Sequence, residues 1–411
     1  MRPAAQGIGA AFLVPGSLAI ISATFEGADR GRAIGTWSAF SSITTAIGPV
    51  TGGWLVQHVS WRAVFFLNVP LAAGVIAISL RFMDESRDRS RAGGVDWTGA
   101  ALTVVALGAL VFGLLEWPPL GLGHPLVSGA LVVAAGASLV LVRVEHRAVS
   151  PMVPLALFRS RPFAFANLLT LLLYGALGVV MFLVPLDLIQ IQHYPPTEAG
   201  AALLPFPLIM FALSRWSGGL VERVGSRWPL TAGPLLAACG FALFARPGIG
   251  GSYWKTFFPA IVMLGLGMAI TVAPLTTTVM GAVEPEHAGA ASGVNNAVSR
   301  IAGLLAIAAL GVLFARTFET RVHSRLDPMG LPADAYQQLA RELPKMGAID
   351  VVQIQSLGPP ARRIVRTIID EAFVFAFRLV MAGAALLGLT AAAIGFRASR
   401  SVDVAGSEAR S

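Results

Sequence analysis

Charge and cysteine are what this chain has least of. Of 411 residues only 13% are charged, about half the share usual in globular chains, while 55% are hydrophobic and the mean hydropathy is +0.72. The composition predicts a polytopic membrane protein. The single cysteine, Cys239, sits in an apolar run, so a disulfide framework and a cysteine metal site are excluded and the residue reads as small packing. The six histidines, His58, His124, His146, His193, His287 and His323, fall in loops without ligand spacing. No metal or other cofactor is indicated. A GxxxxGKS or GxxxxGKT nucleotide loop is missing, as is a convincing nucleophile elbow, and no polar groups cluster as an integral-membrane enzyme requires. The net charge of +8 comes from arginines set between apolar runs rather than on one basic face. That distribution argues against a nucleic-acid partner.

What remains is apolar sequence in long runs. Stretches of about 18 residues or more can cross a bilayer, and eleven are expected, at 5–24, 34–56, 63–82, 97–115, 125–143, 164–190, 198–220, 229–246, 256–280, 289–314 and 373–396. The connections are short except for 315–372. There RVHSRLDP, AYQQLARELPK and PPARRIVRTIIDEA carry spaced apolar residues that predict short amphipathic helices in a small soluble cap. Loops on one side, from Arg30 and Arg32 through Arg81–Arg91, Arg143–Arg161 and Arg215–Arg227 to the C-terminal tail, hold sixteen arginines. The other side holds Arg2, Arg62, Arg246 and Lys255. The positive-inside rule then places the C-terminus in the cytoplasm, the cap outside it and the chain in the cell membrane. With eleven spans the N-terminus also falls outside. A signal peptide is a second account of the first run, from Arg2 to the small residues Ser22-Ala23, although Gln6 and Pro15 interrupt the apolar stretch.

One span has an unusual makeup. Between Gly35 and Trp54 the chain reads GTWSAFSSITTAIGPVTGGW, with Gly48-Pro49 followed by Gly52-Gly53. Glycine and proline weaken a helix in water, but in lipid unpaired backbone is forbidden and small residues let neighbouring helices approach closely. The stretch reads as a packing and bending element.

Its spacing also resembles the antiporter signature of the major facilitator superfamily. Gly35, Gly48, Pro49, Gly52 and Gly53 fall on that pattern, with Thr44 where a second glycine is usual. The flanking QGIGAAFLVPGSLAIISATF, RGRAIGTW and SWRAVFFLNVPLA are similar to the fourteen-span drug:proton antiporter branch. GGLVERVGSR, Gly218 to Arg227, resembles the superfamily's cytoplasmic loop signature through Gly218, Glu222, Arg223, Gly225 and Arg227, with glutamate where aspartate is usual. An acidic–basic pair at a helix end can bond a neighbouring terminus in one conformation and release it in another, as a latch. A turn glycine in a positive-inside loop is the plainer reading of the same residues.

The resemblance implies a major facilitator fold, all-α, with about eleven transmembrane helices. A partial N-terminal bundle would occupy 1–82, two linking helices 83–163, a complete six-helix C-terminal bundle 164–396 with the cap at 315–372, and a cytoplasmic tail 397–411. The first span here would be the family's fourth. The acidic residue of the family's first span and the latch loop after its second have no counterpart, and the arginine of the next signature would fall at Pro3, with Arg2 displaced by one. Met1 is then expected to be an internal methionine of a longer parent, or the gene to be truncated.

Each charge inside a span costs about 2.5 to 3.5 kcal/mol on insertion scales and is a functional hypothesis. Asp187 and Arg300 are the candidates for proton coupling. An interfacial carboxylate and a structural arginine are the respective alternatives, and Arg378 can snorkel. Asp96 reads as a helix cap and Glu116 as interfacial. Tyr174, Met181, Phe182, Phe206, Met210 and Phe211 are candidates to line a substrate site, since aromatic and methionine side chains suit lipophilic or cationic compounds. Core packing or lipid contact is the alternative for each. The resemblance implies a monomeric secondary transporter, not an enzyme, exchanging protons for hydrophobic or cationic drug-like compounds and conferring antibiotic resistance. Its partners would be the bilayer, protons and small substrates, without nucleic acid. An inactive scaffold or transporter fragment is the other class.

Overall fold

In hydrocarbon every backbone N–H and C=O must find its partner within its own segment, which favours helices. The computed structural model describes residues 17, 18, 20, 21, 24–60, 62–82, 96–148, 155–284, 287–352, 354 and 357–398. Among them the regular elements are helical, apart from an isolated bridge between Gly248 and Gly250. They are α1 (Gly27–His58), α2 (Asn68–Phe82), α3 (Trp97–Leu120), α4 (Pro125–Glu145), α5 (Arg161–Gln190), α6 (Pro196–Ala202), α7 (Pro205–Gly218), α8 (Leu220–Val224), α9 (Arg227–Leu243), α10 (Tyr253–Gly281), α11 (Ala288–Leu326), α12 (Ala333–Glu342) and α13 (Pro359–Ala398). A single turn, Ala63–Phe66, precedes α2.

Among the described residues seven helices are long and apolar enough to cross a membrane, counting α6 with α7 as one. Eleven runs were expected. The run at 5–24 falls mostly outside the described residues, as do the loop residues 83–95 and the tail from 399 onward. α1 has the length, with 32 residues, but glycine, serine, threonine and Asp29, Arg30 and Arg32 dilute its hydropathy. α2 and α9 are short, at 15 and 17 residues.

Several helix ends also differ from the apolar runs. α11 continues twelve residues beyond 314, and α13 begins fourteen before 373. Their polar ends stay helical because helix formation does not stop where the bilayer does. The cap is correspondingly smaller than 315–372, and is built on α12 and the 3-10 turn Leu343–Ala348. At its root His323 Nδ1 lies 2.6 Å from the Tyr336 hydroxyl, which donates to Asp327 Oδ1 at 3.0 Å. That carboxylate raises the Tyr336 pKa above its ordinary value of 10.0. The expected run at 198–220 breaks at Leu203–Leu204, where Pro205 starts α7 with a ring that needs no N–H partner.

The core lies among α5, α9, α10, α11 and α13, around Phe241, Phe244, Phe314, Phe318, Phe373 and Phe377. Phe314 meets Phe373 edge to face at 5.0 Å. α9 and α10 approach through glycine, since a Cβ on Gly240 would lie 2.7 Å from the Leu264 nitrogen. This is small-residue helix packing as lipid favours it. α3 and α4 form an antiparallel pair, with α3 also against α11. Asp96 caps α3, its Oδ1 accepting from the Gly99 nitrogen at 2.8 Å, as expected of aspartate at that position.

Candidate functional site

A cleft of about 470 Å³ opens between α1 on one side and α5, α7, α10 and α11 on the other. Its polar wall is one face of α11: Ser292, Asn295, Asn296, Ser299 and Arg300 recur every three or four residues and so share a side. Tyr174, Leu177, Phe206, Met210 and Met268 supply the apolar wall, and Trp37, Ser38 and Ser41 of α1 close the third side. Among the described residues no acidic side chain lines the cleft.

Hydrogen bonds fix this wall. Asn295 Nδ2 donates to Thr170 Oγ1 at 2.9 Å and to Asn167 Oδ1 at 3.2 Å, while Asn167 Nδ2 donates to the Phe163 carbonyl at 2.9 Å. Asn167 and Thr170 are both buried. A buried amide that loses its partners costs about 1–3 kcal/mol, so the pair ties α11 to α5 at the floor of the cleft. Arg300 is exposed, has no hydrogen bond or ion pair among the described residues, and is the one charged side chain among those lining the cleft. Trp37 is oriented by donating Nε1 to Ser17 Oγ at 3.1 Å.

Four expected site residues therefore meet here: Tyr174, Phe206, Met210 and Arg300. Three do not. Met181 packs against the core, Phe182 is 48% exposed on the outside of α5, and Phe211 turns outward to stack edge to face on Phe40 at 6.2 Å. Asp187 lies thirteen residues from Tyr174 on the same helix, hence about 20 Å along it at 1.5 Å per residue. It is 1% exposed and accepts from Gln192 Nε2 at 3.2 Å. Gln192 in turn donates to the Gly248 carbonyl at 2.8 Å and accepts from the Gly250 nitrogen at 3.0 Å. Asp187 and Arg300 are not brought together.

The antiporter-type stretch runs through α1 without a break, Pro49, Gly52 and Gly53 included. Its two ends behave differently. A Cβ on Gly35 would meet the Ser214 carbonyl oxygen at 2.5 Å and Gly218 Cα at 3.2 Å, whereas one on Gly48 would meet nothing within 4 Å. Thr44 donates to the Phe40 carbonyl at 2.7 Å and borders a shallow outer depression with Trp37 and Arg215. So α1 touches α7 near Gly31 and Gly35 and is open near Gly48.

The loop-signature residues divide in the same way. Gly218 sits at the α1 contact, and Gly225 turns the chain with φ +74°, where glycine carries no steric penalty. Glu222 and Arg223 are exposed and form no ion pair among the described residues. Arg227 lies 4.3 Å over the Phe396 ring. The residues that sequence reasoning missed are Asn167, Thr170, Ser292 and Ser299. For Ser292 and Ser299 the signal was polar spacing of three or four within an apolar run, whereas Asn167 and Thr170 are read only through the helix opposite.

Helices able to span a bilayer, closing round a cleft with one polar and one apolar wall, define a multi-pass membrane protein of transporter type. The chain belongs to the Major Facilitator Superfamily, whose family model matches residues 3–307. Multidrug resistance protein Stp of Mycobacterium tuberculosis is 34% identical over 329 residues, 79% of this chain and 60% of Stp. Tetracenomycin C resistance and export protein of Streptomyces glaucescens is 31% identical over 402 residues, 95% of this chain and 72% of that protein. Methyl viologen resistance protein SmvA of Salmonella typhimurium is 29% identical over 364 residues, 86% of this chain and 70% of SmvA. The chain thus matches 60% of the length of Stp and 72% of the tetracenomycin relative.

Proposed function

We propose that this protein exports hydrophobic, drug-like compounds from the cytoplasm in exchange for protons, by alternating access across the cell membrane. The observation that carries this reading is the cleft between α1 and the helices from α5 onward, with its α11 polar stripe facing tyrosine, phenylalanine and methionine. The relatives' names, which speak of multidrug resistance and tetracenomycin C export, support it. The arginine distribution supports a cytoplasmic C-terminus. Residues 1–82 belong to one rocking unit, 83–163 link, and 164–396 form the other, which exposes the cleft to each side in turn. Inverted vesicles holding the protein test the whole reading. Dye transport that a protonophore abolishes supports it, and dye retention unchanged by energisation removes it.

Asp187 is the proposed proton site, because intramembrane carboxylates mark proton paths and this one is buried beside an amide with no cation bonded to it among the described residues. Asp187→Asn is expected to leave substrate binding within about twofold while efflux stops responding to an imposed pH gradient. Undiminished, still proton-driven efflux eliminates Asp187. With the proton site about 15 Å along α5 from Leu177 in the cleft wall, proton and substrate act on each other through the shared conformational equilibrium.

Arg300 sets charge preference. A guanidinium in the cleft wall disfavours cations by about 1 kcal/mol or more, so Arg300→Gln is expected to improve KM for a cationic dye about fivefold relative to a neutral one. An unchanged ratio places Arg300 outside the substrate path.

A further inference from the structure

A second depression, of about 300 Å³, lies where α11 and α13 meet the turn at 246–250. Three guanidiniums border it. Arg321 and Arg325 stand four residues apart on one face of α11, and Arg378 comes from α13. The Arg321 guanidinium lies 3.7 Å over the Phe375 ring, which orients the group and leaves its edge N–H donors available. Arg378 donates through Nε and Nη2 to the Pro247 carbonyl at 3.1 and 3.0 Å and through Nη2 to the Arg246 carbonyl at 3.3 Å. Carbonyls position a guanidinium without neutralising it. Arg325 is exposed and makes no hydrogen bond or ion pair among the described residues. Glu371 is the single carboxylate in the wall, and it forms no ion pair there either. The site carries an excess of positive charge with fork-shaped donors, the chemistry that suits a phosphate.

Its depth and rim say which kind of phosphate. Arg378 precedes Arg397 by nineteen residues of continuous α13, about 29 Å at 1.5 Å per residue, close to the roughly 30 Å of a bilayer's hydrocarbon core. That spacing fits the two arginines at opposite boundaries of the membrane. Of the residues lining the depression, Phe375 is 42% and Ile249 50% exposed. A water-soluble anion has no use for such a rim, whereas acyl chains do.

We propose that this depression binds the phosphodiester headgroup of an anionic phospholipid, held by Arg321, Arg325 and Arg378 with its acyl chains leaving along Phe375 and Ile249. The site is separate from the cleft and does not depend on transport. The test uses the full chain, purified in detergent and depleted of lipid, then titrated with dioctanoyl phosphatidylglycerol, dioctanoyl phosphatidylcholine or inorganic phosphate and read by native mass spectrometry. Phosphatidylglycerol is expected to be retained at least about fivefold better than phosphatidylcholine. Arg325→Gln, which removes no hydrogen bond or ion pair among the described residues, is expected to cut that retention about fivefold. Arg321→Gln with Arg325→Gln should abolish the preference. Equal retention of the two lipids, or a preference that survives both variants, overturns the proposal. Displacement of phosphatidylglycerol by an equal concentration of inorganic phosphate overturns the lipid assignment in favour of a free anion.

Discussion

Replacing Arg366 with methionine is expected to destabilise the folded chain by about 3 kcal/mol, at the low end of the range for breaking a largely buried ion pair. Arg366 donates through Nε to Asp370 Oδ2 at 3.2 Å and pairs ionically with it, Nη2 lying 2.9 Å from Oδ1. Its Nη1 donates to the Gly347 carbonyl at 2.9 Å and to Ile349 at 3.3 Å, and Nη2 reaches the Gln190 carbonyl at 2.9 Å. One side chain thus joins α13, the cap and the end of α5. The Asp370 side chain is 10% exposed, so removing its cation strands a charge where water cannot replace it. Arg366→Lys keeps a charge but loses the fork, and should recover part of the loss. Arg366→Met combined with Asp370→Leu should recover more, because no orphan charge remains. Thermal unfolding in detergent measures all three, with a midpoint several degrees lower for the single variant. A shift equivalent to less than about 0.5 kcal/mol, the size of an ordinary surface substitution, would show that these bonds do not tie the cap to the bundle.

Spanning helices were readable because length and hydropathy are one-dimensional properties. The runs at 97–115, 125–143 and 256–280 return as α3, α4 and α10 with ends moved by a few residues. Helix ends were less readable, since an apolar run marks how much chain lies in hydrocarbon and not how far the hydrogen-bond ladder continues. α11 and α13 both overrun for that reason. Which apolar side chains face the cleft was not readable at all. Phe206 and Phe211 share a helix and a chemistry, yet one lines the cleft and the other turns outward. A helix apolar all round carries no stripe to tell them apart. The polar stripe of α11 was legible in principle, because Ser292, Asn295 and Ser299 break an otherwise apolar pattern at helical spacing. Asn167 and Thr170, alone on α5, gain their meaning only from the helix opposite.

Gly218→Val is expected to reduce efflux to the level of vesicles without the protein while leaving membrane insertion intact. A Cβ at Gly218 would run into the Gly31 carbonyl oxygen and come within 2.9 Å of Gly35 Cα and 3.1 Å of the Gly31 carbonyl carbon. These are backbone atoms of α1, and they can give way only if the two helices part. Whole-helix displacement would separate α1 from the C-terminal helices at this end, and in the proposed alternating-access cycle a protein wedged there cannot complete the exchange of access. Gly219 supplies the control, because a Cβ there would meet only the Trp216 carbonyl at 3.8 Å and its φ of −87° suits any residue. Gly219→Ala should therefore transport normally. The wedge is also readable without transport, by placing a cysteine at Ser214, which is fully buried, after replacing the exposed Cys239 by serine. Maleimide should label that cysteine slowly in the parent and at least about tenfold faster in Gly218→Val, since thiol modification requires access to the sulfur. Equal labelling together with normal efflux would mean that α1 and α7 do not need this close approach. The glycines of the antiporter-type stretch and of the loop signature would then be independent features, not the two halves of one contact.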